Sequence, residues 1–123
     1  MKFDVFLNFD GNCREALAFY SEIFGQPMPE IMPYEDNPQR VLYASLPIYG
    51  NNIMFSDCGE GFAHVIGNNF ALTLNNPDEP TLTKLFNNLA NGGTIIMPMS
   101  PTFFSEYFGM VVDRFGITWQ LIK

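Results

Sequence analysis

Residues 2–25, KFDVFLNFDGNCREALAFYSEIFG, carry two periodicities in succession. From Lys2 to Phe9 the pattern has a period of two: Phe3, Val5, Leu7 and Phe9 share one side, and Lys2, Asp4, Phe6 and Asn8 the other. That is the mark of a strand with one buried face. Asp10-Gly11-Asn12 turns the chain, and Asn12 is a suitable N-cap for the run CREALAFYSEIFG. In that run Ala16, Leu17, Tyr20, Ile23 and Phe24 fall on one helical stripe, which Gly25 ends. A strand running into an amphipathic helix predicts a helix lying on a sheet.

Working outward, four prolines between Pro27 and Pro38 exclude a continued helix and leave a loop with room for a short edge strand. VLYASLPI and NNIMFSD are rich in β-formers and joined through Pro47 to Gly50, which predicts a hairpin. After the connection from Cys58 to Asn68 the order recurs. NFALTLN alternates like the first strand, PTLTKLFNNLANGG is helical with a glycine stop, and TIIMPM, YFGMVVD and GITWQLI supply three more strands. Adding 65 carries Leu7 to Leu72, Leu17 to Leu82, Tyr20 to Leu85 and Phe24 to Leu89, while adding 66 carries Gly50 to Gly116 and Met54 to Gln120. One offset held through strand, helix and hairpin indicates duplication. The expected architecture is α+β: two βαβββ modules, about 1–58 and 67–123, in one domain spanning 1–123.

Composition narrows the function. With 123 residues, 47% hydrophobic and 15% aromatic, the chain has material for one core and some left to line a pocket. Thirteen acidic against six basic residues give a net charge of −7, which argues against nucleic acid and anionic membrane as partners. Asp4 and Asp10 interrupt the first apolar stretch, so it reads as neither signal peptide nor membrane span, and a cytoplasmic protein is expected. Cys13 and Cys58 have no zinc or redox spacing and read as two reduced thiols. Phosphate-cradling glycine loops, nucleophile elbows and His-Glu-x-x-His are absent.

If the apolar side of each first strand packs under its helix, then Asp4, Phe6 and Asn8, and likewise Asn69, Ala71 and Thr73, point to the opposite side. Two sheets curving together would enclose there a cavity with mixed aromatic and small polar walls, suited to a small molecule. In the run MSPTFFSEYFG, Phe103 and Phe108 read on their own as core or dimer contacts. His64, the single histidine, is a candidate general base or a plain loop residue, and Cys58 with His64 has no recognised triad spacing.

The motifs LNFDGNCREALAFY, LPIYGNNIMFSD, GNNFALTL and FGMVVDRFGITWQL, which span nearly the whole chain, resemble the vicinal oxygen chelate superfamily of glyoxalases, bleomycin resistance proteins and extradiol dioxygenases, and within it the PhnB-like group. The resemblance implies a homodimer with a ligand cavity. In metal-dependent relatives a divalent ion is held by His and Glu from the first and last strand of each module, positions that map here to Asp4, Met54, Asn69 and Gln120. Only Asp4 is an anionic ligand, so the expectation is a binder of a small organic molecule with no metal and no cofactor. The cavity residues would be Asp4, Phe6, Met54, Asn69, Phe103, Phe108 and Gln120. The alternative is a metal-dependent or acid/base lyase, isomerase or dioxygenase. The group is sometimes labelled a methyltransferase, but nothing in the sequence resembles an adenosylmethionine site.

Overall fold

The structure, a computed structural model, describes all of residues 1–123 and divides into two compact units, Met1–Val65 and Ile66–Lys123. The first contains β1 (Val5–Phe9), α1 (Cys13–Ile23), β2 (Met32–Pro33), β3 (Val41–Ile48) and β4 (Asn51–Asp57). Its sheet order is β1-β4-β3-β2, with β1 parallel to β4 and the remaining pairs antiparallel. The second contains β5 (Leu72–Asn75), α2 (Glu79–Ala90), β6 (Thr94–Ser100), β7 (Phe108–Val112) and β8 (Thr118–Ile122), ordered β5-β8-β7-β6, again with the first strand parallel to the last. Each unit is therefore a βαβββ module of identical topology, the α+β duplication that the repeat predicts. No helix is long and apolar enough to cross a membrane.

Each helix buries its stripe on one side of its own sheet. In the first unit Ala16, Leu17 and Tyr20 are fully buried, with the Tyr20 ring 5.9 Å from that of Phe55, which is itself stacked on Phe9 at 5.9 Å. In the second, Leu82, Leu85, Phe86 and Leu89 are buried, together with Val111, Trp119 and Leu121 of the sheet beneath. At about 1.5–3 kcal/mol for each large apolar side chain removed from water, these two stripes supply most of what holds helix to sheet.

The local details depart from the sequence expectation in four places. β1 starts at Val5, not Lys2, and Phe3 is almost wholly exposed, because the alternation runs on past the ladder, whose first rung is Val5 with Ile53. β5 likewise starts at Leu72, leaving Asn69 in a bend before it. The first hairpin turns at Tyr49 and Gly50, both with positive φ, while Pro47 remains within β3 opposite Asn52. Asn12 occupies the N-cap position of α1 but makes no side-chain capping bond.

That bond comes from a distant residue. Asp57, at the end of β4 and with no exposed surface, accepts the amides of Gly11 (2.7 Å) and Cys13 (3.1 Å) through Oδ1, and that of Val41 (2.8 Å) through Oδ2. One carboxylate thus ties the β1–α1 turn, the start of α1 and the start of β3 to the last strand. A buried anion is tolerated only with such partners, and a helix N-terminus is where it is best placed. In the second unit the buried Asp113 accepts from the amides of Phe115 and Ile117 (2.9 and 3.1 Å) and from Trp119 Nε1 (2.9 Å), fixing the β7–β8 turn to the sheet it closes. Replacing Asp57 with Ala strands the buried N–H donors of Cys13 and Val41 and the partly buried one of Gly11. Its urea midpoint should fall by the equivalent of about 3 kcal/mol or more, whereas Asp10→Ala, at an exposed ion pair with Arg40, should leave the midpoint nearly unchanged.

Candidate functional site

The helices cover one side of each sheet, and alternation assigns the other side. β4 is an inner strand, and on its helix-free side Met54 stands between Phe6 of β1 and Ser45 of β3. Phe6 is exposed and Met54 half-buried. The inner strand of the second unit is β8, where Gln120 stands between Thr73 of β5 and Met110 of β7. Gln120 is half-buried, and its Oε1 lies 3.5 Å from Thr73 Oγ1, the donor.

The remaining expected residues are placed apart from these pairs. Asp4 precedes β1, with its carboxylate 3.7 Å from Lys2 Nζ. Asn69 is exposed in the bend before β5. Phe103 is fully exposed, while Phe108 is 6% exposed. Between them stands Phe104, which the sequence pattern alone does not single out: its ring meets Phe103 edge-on at 5.1 Å and Phe108 edge-on at 5.0 Å. Thr102 and Ser105 fasten this segment. Thr102 Oγ1 accepts the amides of Phe104 and Ser105, and Ser105 Oγ reaches the Tyr107 and Lys123 carbonyls.

The ladders correct the internal correspondence. The residue opposite Met54 is Phe6, and the residue opposite Gln120 is Thr73, which lies 67 positions later and not 65. Measured against the last strands, then, Phe6 and Thr73 hold equivalent places, and Asp4 and Asn69 lie outside the strands altogether.

The donor set Asp4, Met54, Asn69 and Gln120 offers one carboxylate, one thioether and two carboxamides, and nowhere do three His, Cys, Asp or Glu side chains gather in a way that could hold a metal ion. These residues do not fit a hard divalent cation, which needs several anionic or imidazole ligands. No step is derived through one.

The family model described as 3-demethylubiquinone-9 3-methyltransferase matches residues 1–122. The chain belongs to this family, the PhnB-like group of the glyoxalase/bleomycin resistance superfamily. It is 29% identical over 140 residues to protein YjdN of Escherichia coli K12, covering 98% of this chain and 94% of that one. Among solved structures it is similar to protein PA1353 from Pseudomonas aeruginosa, with TM-score 0.86, 30% identity and coverage of 99% and 96%. A PhnB protein from Bacillus cereus superposes with TM-score 0.83 at 29% identity, covering 99% of this chain and 98% of that one.

The family's description implies a methyl donor such as S-adenosylmethionine. In this PhnB-like chain both helix N-termini are already occupied by protein carboxylates: Asp57 at α1, and Asp78 at α2, whose Oδ2 accepts from the amide and hydroxyl of Thr81. Neither strand–helix turn is left as a cradle for the donor's polar end, and the turns themselves do not fit it.

Two surface hollows lie away from the strand residues above. One, about 480 Å³, is bordered by Asp10, Tyr34, Arg40, Cys58 and Phe62, but its single cation is engaged: Arg40 Nη2 donates to the Cys58 carbonyl at 2.6 Å and to Asp10 at 3.2 Å. The other, about 820 Å³, is an open groove along α2 from Glu79 to Asn88 and Tyr107. His64 is half-buried and its Nε2 lies 3.0 Å from the backbone oxygen of Asn8, to which it donates; no carboxylate orients it as a base. Burial pushes the Cys58 thiol above its ordinary value, with Asp10 adding to the effect, so it is a poor nucleophile at neutral pH.

Cys13 is displaced further, from 9.0 to about 12, by burial first and the neighbouring Asp57 charge second. Its sign for stability comes from proton counting. Above pH 9 the unfolded thiol ionises while the folded one keeps its proton, so the native state binds more protons and stability falls as pH rises. From about pH 9 to 12 unfolding free energy should drop by about 1.4 kcal/mol per pH unit on this account, and Cys13→Ala should flatten the slope measured by urea titration at successive pH values.

Proposed function

We propose that this PhnB-like protein binds a small organic molecule against the helix-free faces of its sheets, without a catalytic divalent metal, and works as a cytoplasmic homodimer. The observation that carries the reading is the chemistry of the inner strands. Of the positions where metal-using relatives carry carboxylate or imidazole ligands, those on the inner strands are here Met54, beside Phe6, and Gln120, beside Thr73, an apolar pair and a neutral polar pair, and Asp4 alone is anionic. Such surfaces recognise by contact area and a few hydrogen bonds, as small-molecule sites do. Phe6, Met54, Phe103, Phe108 and Gln120 are the principal residues, with Asp4 and Asn69 at the strand approaches. The dimer is supported by the family and by Ile95, Ile96 and Met97, which are exposed along the free-edge strand β6.

Two measurements test the reading. Elemental analysis of protein purified without chelators should find no stoichiometric divalent metal, and EDTA should leave Tm and any ligand-induced shift unchanged; stoichiometric metal lost on Asp4→Ala would overturn the metal-free reading in favour of a chelate enzyme. Sedimentation equilibrium should give twice the 14.0 kDa chain mass.

A further inference from the structure

The turn from α2 to β6, Asn91-Gly92-Gly93, sets a chemically labile pair in the open. Of the twelve asparagines only Asn91 is followed by glycine. An asparagine is lost when the backbone nitrogen of the next residue attacks its side-chain carbonyl carbon, and glycine, having no Cβ, leaves that approach clear. Both reacting groups are available here. Asn91 and Gly92 are exposed, and neither the Asn91 carboxamide nor the Gly92 amide makes a hydrogen bond within the chain, although the flanking amides do: Asn91 N–H donates to the Asn88 carbonyl (3.3 Å) and Gly93 N–H to that of Ala90 (2.9 Å). The first unit offers a contrast. Asp10-Gly11 is also exposed at its acidic residue, but the Gly11 amide is held by Asp57 Oδ1 at 2.7 Å and cannot serve as a nucleophile.

What opposes the attack is the orientation of the Asn91–Gly92 peptide plane. Asn91 has φ −63° and ψ 112°, which leaves the Gly92 nitrogen rotated away from the Asn91 side chain. The plane has to turn about the Cα–C bond of Asn91 before nitrogen and Cγ can meet, and because the peptide is rigid its carbonyl oxygen turns with it. Arg114, from the β7–β8 turn, resists that rotation. Its Nε donates to the Asn91 carbonyl oxygen at 3.1 Å, and its side chain lies across Gly92, with Nε 3.0 Å from where a Cβ would stand. Gly92 itself is at φ +77°, a conformation that favours glycine, so the turn keeps the residue that makes the site reactive.

We propose that Asn91 is a site of spontaneous covalent modification, deamidation through a succinimide, and that Arg114 is the positioning residue that slows it. The Gly92 nitrogen bonds to Asn91 Cγ, and the side-chain nitrogen leaves as ammonia, taking the amide proton with it. Water, the one co-reactant, then opens the five-membered ring at either carbonyl and leaves aspartate or isoaspartate at position 91. Both products put a negative charge at the C-terminal end of α2, where the helix's last carbonyls already concentrate negative charge. Isoaspartate also adds a carbon to the main chain of a turn that has no slack, since Gly93 packs directly on the Val112 carbonyl.

The test ages the full chain in warm, mildly alkaline buffer and follows every asparagine by peptide mapping with mass spectrometry, folding being checked by circular dichroism. Folded wild type should gain aspartate and isoaspartate at position 91 before any other asparagine converts, and Asp10 should gain no isoaspartate. Arg114→Met keeps the aliphatic stem over Gly92 but has no donor, and should speed conversion at position 91 about fivefold, the worth of one hydrogen bond. Rates at the other asparagines should stay the same, a selectivity that general loosening of the second sheet would not give. Asn91→Gln, whose side chain would have to close a larger ring, should abolish conversion there. Wild type unfolded in urea loses the Arg114 bond without any substitution, and should convert at position 91 faster than folded wild type, which keeps the test open if Arg114→Met fails to fold. Earlier conversion at another asparagine overturns the site. A rate at position 91 that Arg114→Met leaves unchanged or lowers, or that unfolding does not raise, overturns the role of Arg114.

Discussion

In each unit the strand that opens the module lies parallel against the strand that closes it, and everything else is arranged around that pairing. A parallel pair cannot be made by a tight turn; the intervening chain must cross over, here through a helix and a returning hairpin. The crossover puts the helix on one side of the sheet and leaves the other bare. In the first unit the closing strand also carries the bond that holds the crossover in place, since Asp57 receives amides from the opening turn, from the helix and from β3. The helix is thereby anchored by the strand it packs on, at the end where its unpaired amides concentrate.

This placement explains how one fold serves as scaffold and as binding surface. The residues that maintain it, Asp57, Phe55, Trp119 and Leu121 among them, point under the helices or into turns, whereas their immediate neighbours Met54 and Gln120 point the other way. A strand's alternation lets adjacent residues answer to unrelated demands. The units have kept their packing in common and differ on the bare side, one apolar at its inner strand and the other polar.

Much of the fold was legible in the sequence because it is written in local periodicity: the alternation of Val5, Leu7 and Phe9, the stripe of Leu17 and Tyr20, the stop at Gly25. Which side of the sheet Phe6, Met54 and Gln120 occupy was legible for the same reason. The register between β1 and β4, and between β5 and β8, was not. A one-residue slip turns every side chain over and is betrayed by the pattern, but a two-residue slip preserves the face and leaves the pattern intact. Hence Thr73, not Asn69 or Ala71, is the neighbour of Gln120. The same limit hid Asp57, whose partners are 16 to 46 residues away, and Phe104, whose role depends on the ring of Phe108 being within 5.0 Å.

The bond between Trp119 and Asp113 gives the molecule an optical property as well as a closed turn. Trp119 is the sole tryptophan, it is buried, and its indole N–H points at a carboxylate. An indole so placed emits from an apolar, charge-biased setting that exists only while the β7–β8 turn is intact, and it sits one residue before Gln120 on the same strand. The chain therefore carries an intrinsic fluorophore that registers both the integrity of the second sheet and small displacements of the strand beside the proposed ligand.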